Sequence, residues 1–298
     1  MTKKIAILTE DRYENPLKKN SYINNILIED FLLLKALESA GFTVSRVSWS
    51  SKIVNWEHFD YAIFRTTWDY FERLDEFLVW LHDCSKKVKF LNNFDLIKWN
   101  LDKNYLKDFN SIGIVPSLFV KKKTTITLAD VFQEKGWDKI VIKPTISAAA
   151  WNTHLITKKN TDKMEIIFNR LNTNFEMIIQ QFQENVLSFG EISMVVFGGR
   201  FSHAVLKKGK KNDFRVQDDF GGSVSLYNAT KKEIAFAEKV VSGCFCQPIY
   251  ARVDVLYDNE KNLVLSELEL IEPELWFRFC DKSEYKLSEE VRKHVFGA

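Results

Sequence analysis

Apolar and polar positions along the chain follow two periods, and the switches between them mark out the elements. Residues 4–9 (Lys-Ile-Ala-Ile-Leu-Thr) form a compact apolar run, the pattern of a strand buried on both faces. A polar stretch at 10–20 precedes apolar residues at Ile28, Phe31, Leu32, Leu34 and Leu37, which recur with helical spacing. Gly41 then stands where a helix C-cap belongs. Strands at 42–47 and 61–65, a helix at 75–84 and a short strand at 89–91 complete the first third. This order predicts an α/β lobe on a parallel sheet, with ligand contacts beyond the carboxyl ends of its strands.

The second third reads as a helix at 95–109, a strand at 117–120, a helix at 128–136 and a strand at 139–143 closed by Pro144. A run of small residues at 145–153, a helix at 162–172 and a strand at 177–182 follow. Two hairpins dominate the last third. Residues 191–197 and 201–206 flank Gly198-Gly199-Arg200, and 250–257 and 263–271 flank the turn-rich 258–262. A loop at 213–222 and a helix at 231–241 separate them.

The second hairpin carries the chemistry. Side chains two apart on a strand share a face, so Arg252 pairs with Asp254 and Glu267 with Glu269. Across an antiparallel pair these four converge, placing three carboxylates and one guanidinium on one patch. Carboxylates packed beside Val and Leu repel one another unless a cation neutralises them, and hard oxygen ligands suit Mg²⁺. The plainer reading is an ordinary hairpin with its acids on the wet face.

Composition narrows the setting. With 298 residues and 46% hydrophobic content the chain has material for two or three lobes and substantial cores. A net charge of +2 argues against an extended nucleic-acid or acidic-membrane surface. Cys84, Cys244, Cys246 and Cys280 form no CxxC and no ligand-spaced quartet, so neither a zinc site nor a disulfide framework is expected. No apolar window reaches bilayer-spanning length and no signal-peptide pattern opens the chain, so a cytoplasmic protein is expected.

Other candidates lie at strand ends. Arg65-Thr66-Thr67-Trp68-Asp69-Tyr70 follows the third strand, and a guanidinium there needs an anion or a carboxylate partner, which makes Arg65 a substrate-contact candidate. Trp68 and Tyr70 have a duller reading as packing against the neighbouring helix. Lys143 closes an apolar strand and is expected to face a cleft. The 145–153 loop, with Ser147 and three alanines, lets backbone N–H groups approach a phosphate, although glycine is missing. The plainer reading is preferred for Phe182 as core, for His203 as a packed hairpin residue, and for the lysines at 207–211 as a solvated turn, with a visit to a phosphate as the sharper alternative.

Taken in order, these pieces resemble the ATP-grasp superfamily, and within it the glutathione-synthetase-like group. The resemblance rests on Lys103, Lys143 before Pro144, Gln180-Gln181-Phe182 and Gly190-Glu191. It continues through Asp213-Phe214-Arg215 with Gly221-Gly222, and Asp254 followed by Glu267-x-Glu269. Arg65 to Tyr70, Trp99 to Lys103 and Phe197 to Val205 add to it, and essentially the whole chain is covered.

The resemblance implies an ATP-grasp fold: an N-terminal α/β parallel-sheet domain at 1–93, a central lid domain at 94–183 and a C-terminal mixed-sheet domain at 184–298. It implies an ATP-dependent ligase that activates a carboxylate as an acyl phosphate, which an amine displaces, intermolecularly or by cyclisation. ATP and Mg²⁺ are the implied cofactors. Lys103 and Lys143 would balance the phosphates, with Ser147 in the phosphate loop. Gln181 and Phe182 would meet adenine, and Glu191 the ribose. Asp254, Glu267 and Glu269 would hold Mg²⁺. Arg215, helped by the Gly221 and Gly222 amides, would stabilise the transferred phosphoryl, and Arg252 would sit near the reacting carboxylate. Arg65, Thr66, Trp68 and Asp69 would contact an amino-acid-like substrate. The expected partners are small molecules, with no nucleic acid or membrane and a possible homodimer. This chain has Glu269 where the family often has asparagine, which adds a negative charge. An ATP-grasp kinase and a non-catalytic nucleotide-binding protein are the competing readings.

Overall fold

Strand residues buried on both faces belong in the interior of a sheet, and this decides the first lobe. In the computed structural model, which describes residues 2–18, 20–210 and 222–297, β1 (Lys4–Thr9), β2 (Thr43–Ser48), β3 (Tyr61–Thr66) and β4 (Lys89–Leu91) pair in the order β2-β1-β3-β4. Every pairing is parallel, as the alternation of strand and helix predicts. All of β3 is buried, and so is β1 beyond its first residue. Around the sheet lie α1 (Asp11–Glu14), α2 (Ser21–Ser39) and α3 (Leu74–Ser85). Helix α2 starts ahead of its apolar pattern because the Asn20 side chain accepts the Ile23 N–H at 2.8 Å.

The sequence-expected helix at 95–109 is broken. It runs as α4 (Phe94–Asn100) and then a 3-10 stretch, Lys103–Asp108. Two side chains account for the break. Asn100 is diverted to the backbone of residues 268 and 270, with bonds of 2.8 Å to the Leu268 carbonyl and from the Leu270 N–H. Asp102 accepts the Asn104 N–H at 2.8 Å, the local bonding that competes with helix continuation.

In the second lobe, β5 (Ser117–Val120), β6 (Lys139–Pro144), β7 (His154–Thr157) and β8 (Met177–Gln181) form an antiparallel sheet in the order β5-β8-β6-β7. Helices α5 (Leu128–Lys135) and α6 (Thr161–Asn174) cover it, and Ile140, Ile142, Phe168 and Met177 share a core of their own. After α7 (Asn185–Ser188) comes the third sheet. It contains β9 (Glu191–Phe197), β10 (Arg200–Lys208), β11 (Ser223–Tyr227), β12 (Tyr250–Tyr257) and β13 (Leu263–Glu269) in the order β11-β10-β9-β12-β13. Helix α8 (Lys231–Ser242) starts with a capping box between Thr230 and Glu233.

Packing joins these pieces differently from a simple cut along the chain. Leu96, Tyr105, Leu106 and Phe109 belong to the core beneath β9 and β12, so the residues just after 93 pack with the third sheet rather than the second. The C-terminal helix α9 (Ser283–Phe296), which no sequence pattern above marks, returns to the first lobe. Its Leu287 and Val291 pack in one core with Ile5, Leu33 and Val195. No helix among the described residues is long and apolar enough to cross a membrane.

Asn92 pins this junction. It is buried, has φ +65°, donates to the Tyr250 and Leu270 carbonyls at 2.9 and 2.7 Å, and accepts the Ile249 N–H at 2.8 Å. Asn92→Ala leaves three buried backbone groups unpaired and puts alanine, which tolerates left-handed backbone less well than asparagine, at φ +65°. It is expected to cost about 3–5 kcal/mol. Urea unfolding checks this, and a loss below about 1 kcal/mol would contradict it.

Candidate active site

The site is built on the hairpin of β12 and β13. Its antiparallel register sets Arg252 opposite Glu269 and Asp254 opposite Glu267, the convergence that strand alternation predicts. Between Asp254 and Val255 the ladder slips, so Ser266 has no strand partner. A bulge of this kind re-aims neighbouring side chains, and Ser266 and Glu267 both line the cavity described below. Because β13 is an edge strand, its outer backbone needs partners. Asn100 supplies some, and the Tyr105 hydroxyl accepts the Leu268 N–H at 2.7 Å. The break after α4 therefore does two things: it covers this edge and carries Lys103 to the acids.

Four cations meet the carboxylates. Lys103 Nζ lies 2.5 Å from the Ser147 carbonyl oxygen and 3.0 Å from Glu267. Lys143, at the end of β6, is 3.9 Å from the same carboxylate. Arg252 holds both oxygens of Asp254, at 2.9 and 2.8 Å, and also pairs with Glu269. Lys207 is 2.6 Å from Glu191 and 3.0 Å from Asp254. Trp276, in left-handed backbone at φ +48°, lies beneath two of these cations. Its ring centroid is 5.0 Å from the Arg252 guanidinium and 5.9 Å from the Lys207 ammonium.

All of these residues line one cavity of about 290 Å³ between the lobes. Its wall also carries Glu272 and Glu274, so six carboxylates face Lys103, Lys143, Lys207 and Arg252. The imbalance falls unevenly. Burial disfavours the Asp254 anion, but Arg252 and Lys207 overcome this and hold its carboxyl far below the usual range. Burial works against Glu267 too, and Lys103 and Lys143 pull it down. Glu269 is left short: burial, only partly offset by Arg252 and reinforced by Asp254 and Glu267, pushes it up to about 8. Lys143 is lowered by burial despite Glu267. Among the described residues no group of three or more His, Cys, Asp or Glu side chains is arranged to hold a metal ion unaided.

Several sequence-expected contacts land elsewhere. Arg65 is buried away from the main cavity, 3.6 Å from Glu29 and over the Phe277 ring, so its carboxylate partner is internal. It borders a side cavity of about 20 Å³, room for about one water. The Thr66 hydroxyl bonds Thr9 at 2.6 Å. Asp69 turns to the Trp49 indole N–H at 2.7 Å and to Arg73 at 2.9 Å, outside either cavity. Trp68 does line the main cavity.

Gln181 and Phe182 line it as well, but their backbone N–H groups donate to the Pro116 and Lys139 carbonyls and their own carbonyls accept from Gln183 and Asn259. These four groups are therefore engaged within the protein. The Ser147 hydroxyl donates to the Pro144 carbonyl at 3.0 Å. The glycine-free loop reaches its shape by placing Ala149, Ala150 and Asn152 in left-handed backbone. Trp151 anchors it, packing tilted against Phe71 of the first lobe and edge-to-face against Phe175 of the second, with centroids 5.6 and 5.2 Å apart. Arg215 and Gly221 lie outside the described residues. Gly222 is half-buried just before β11 and does not line the cavity.

Lys207 is the main residue misassigned from sequence, which placed it in a solvated turn. Counting back from Gly198-Gly199 sets Leu206 opposite Glu191. The register slips between Phe201 and His203, leaving Ser202 unpaired and bringing Lys207 opposite Glu191 instead. Trp276, Glu272 and Tyr22 were missed too, since no local pattern marks them.

Comparisons with known proteins agree with this architecture. Residues 123–272 match the RimK-like ATP-grasp domain, and residues 5–92 match the N-terminal domain of D-cycloserine synthetase DcsG. The cycloserine biosynthesis protein DcsG of Streptomyces lavendulae is 24% identical over 279 residues, spanning 88% of this chain and 92% of that one. Among solved structures, D-cycloserine synthetase DcsG aligns with a TM-score of 0.87 at 22% identity, covering 98% of this chain and 99% of that one. D-alanine–D-alanine ligase from Bacillus anthracis complexed with ATP aligns with a TM-score of 0.64 at 14% identity, covering 99% and 100%.

The Glu269 electrostatics give a pH prediction with a definite sign. Its carboxyl moves from an ordinary 4.5 to about 8 on folding, so between these values the folded chain holds a proton that the unfolded chain has released. Stability is therefore greatest at the acid end of this window and falls as pH rises from 5 to 8, by about 1.4 kcal/mol per pH unit at most from this group. Glu29 and Glu272, each raised to about 7, act with the same sign. Urea midpoints at pH 5, 6.5 and 8 are expected to show the decline, with a shallower slope in Glu269→Gln. An unchanged slope in that variant would contradict the assignment.

Proposed function

Because the chain belongs to the RimK-like ATP-grasp family, we propose that it is an ATP-dependent ligase forming a C–N bond. It joins the carboxylate of an amino-acid-like substrate to an amine by way of an acyl phosphate and releases ADP and inorganic phosphate. One observation carries this reading: lysines positioned from separate lobes, Arg252 and the acids of the β12–β13 hairpin converge on a single cavity. Phosphoryl transfer asks a protein for positioning and charge neutralisation, and such a constellation supplies both.

The roles divide along the cavity. Apolar Val141, Phe182, Val186 and Leu256 suit a flat base, with Glu191 nearby for a ribose. Lys103 and Lys143 receive phosphates, and each then exchanges Glu267 for a phosphate oxygen. Asp254, Glu267 and Glu269 are the residues assigned to Mg²⁺. The surplus of carboxylates and the raised Glu269 fit a site short of one cation. A shell completed by water and phosphate oxygens suits Mg²⁺, which usually takes one or two carboxylates. When bound, the ion supplies neutralisation of charge on the phosphate oxygens. Arg252, bridging Asp254 and Glu269, faces the carboxylate under activation. Tyr22, Trp68 and Trp276 wall the acceptor end. The likeness to a D-cycloserine synthetase supports an acid and an amine on one molecule, so that ligation closes a ring.

ADP and inorganic phosphate released with Mg-ATP across a panel of L- and D-amino acids, dipeptides and O-ureidoserine test this. Phosphate in step with ADP, dependent on one panel member, is the expected result. ADP without phosphate would instead identify a kinase. Lys143→Ala is expected to lower this turnover at least about a hundredfold with the fold intact. Normal turnover in that variant would remove the phosphate-site assignment. Glu267→Gln is expected to raise the Mg²⁺ concentration needed for half-maximal rate about tenfold, and metal-independent wild-type turnover would contradict the metal assignment.

A further inference from the structure

Two carboxylates on the cavity wall, Glu272 and Glu274, have no part in these roles, and Glu274 is taken up by Arg278. Glu272 follows β13 three residues after Glu269, is 8% exposed, and lines the cavity with Tyr22, Trp68 and Trp276. Its five acidic neighbours on the wall all pair with cations: Glu191 and Asp254 with Lys207, Glu267 with Lys103, Glu269 with Arg252, and Glu274 with Arg278. Glu272 has no ion pair among the described residues. The Tyr70 hydroxyl lies beside its carboxylate and favours the anion, and the Trp68 indole N–H donates to its backbone carbonyl at 3.0 Å. Tyr70 is itself buried against Phe71 and Phe77, so this hydroxyl is held in place. The carboxylate is thus aimed, water-poor and uncommitted.

We propose that Glu272 is the general base of the nucleophilic half-reaction, taking the proton from the attacking amino group. The proposal rests on the ligase reading above. In the step, the amine nitrogen's lone pair forms the C–N bond to the acyl carbon. The C–O bond to phosphate breaks, and phosphate leaves with that electron pair. The surplus proton on nitrogen passes to a Glu272 oxygen and then to water.

The neighbouring acids are poor candidates because each already meets a cation: Glu191 and Asp254 meet Lys207, Glu267 meets Lys103 and Glu274 meets Arg278. Glu269, although burial raises it, has the Arg252 guanidinium against its carboxylate where a proton would have to arrive. The other charged groups around Glu272 are committed. Lys103 lies 3.0 Å from Glu267, and Glu269 is held by Arg252. Burial, only partly offset by Lys103 and Tyr70, leaves Glu272 at about 7, where a carboxylate is both ionised and basic at neutral pH. The rings of Tyr22, Trp68 and Trp276 beside it suit an incoming ammonium.

The test separates the two half-reactions in the full-length protein with Mg-ATP. The panel above supplies carboxylate donors, and concentrated hydroxylamine, which is neutral and strongly nucleophilic at pH 7.5, traps the acyl phosphate as a hydroxamate. Glu272→Gln keeps the size of the side chain and removes its charge. It is expected to form hydroxamate within about twofold of wild type and the ordinary amide at least about a hundredfold more slowly. Glu272→Asp, with its base withdrawn by one methylene, is expected to slow the amide about tenfold with hydroxamate intact. Amide formation at the wild-type rate in Glu272→Gln would overturn the proposal. So would a parallel loss of amide and hydroxamate in both variants, which would mean that the residue serves binding or folding. A wild-type enzyme that yields no hydroxamate from any donor would overturn the ligase reading and the proposal with it.

Discussion

Carboxylates crowded inside a protein must find cations, and most of this molecule's architecture follows from how that need is met at Asp254, Glu267 and Glu269. Arg252 answers it from the same strand, Lys207 from β10, Lys143 from the second lobe and Lys103 from the stretch that covers the edge of β13. Buried ion pairs of this sort contribute little net stability, because desolvation cancels most of the attraction. They do decide geometry. Each cation has one place where its charge is matched, and reaching those places sets how β6, β10, β12 and the 3-10 stretch meet.

The same pairing governs what the cavity offers a ligand. Every lysine on its wall already has a carboxylate partner, so a phosphate would replace an existing contact rather than fill a vacant one. Affinity then depends on the difference between two pairings. A bound cation shifts that difference by drawing the acids away from the lysines.

Much of this was legible in the sequence. Strands buried on both faces, the alternation with helices and the two hairpins carry periodic signals, and the register of Arg252, Asp254, Glu267 and Glu269 follows from period two. What was not legible depends on distant partners. Arg65 looked like a substrate contact because its requirement for an anion is plain, but nothing in its neighbourhood announces that Glu29 meets it. Asn100 and Asp102 look like ordinary helix residues until the edge of β13 is there to receive one of them. Glu272 and Trp276 sit in an irregular segment, where no period tells which way a side chain faces.

The slip in β10 has a consequence of another kind. Ser202 makes no ladder pair. Losing its codon would leave Lys207 opposite Glu191 in an unbroken ladder, but losing one between it and Lys207 would bring Lys208 opposite Glu191 and turn Lys207 to the opposite face. The acid pair would lose a cation although every charged residue was still encoded. This hairpin therefore tolerates exchange of letters better than a change in their number.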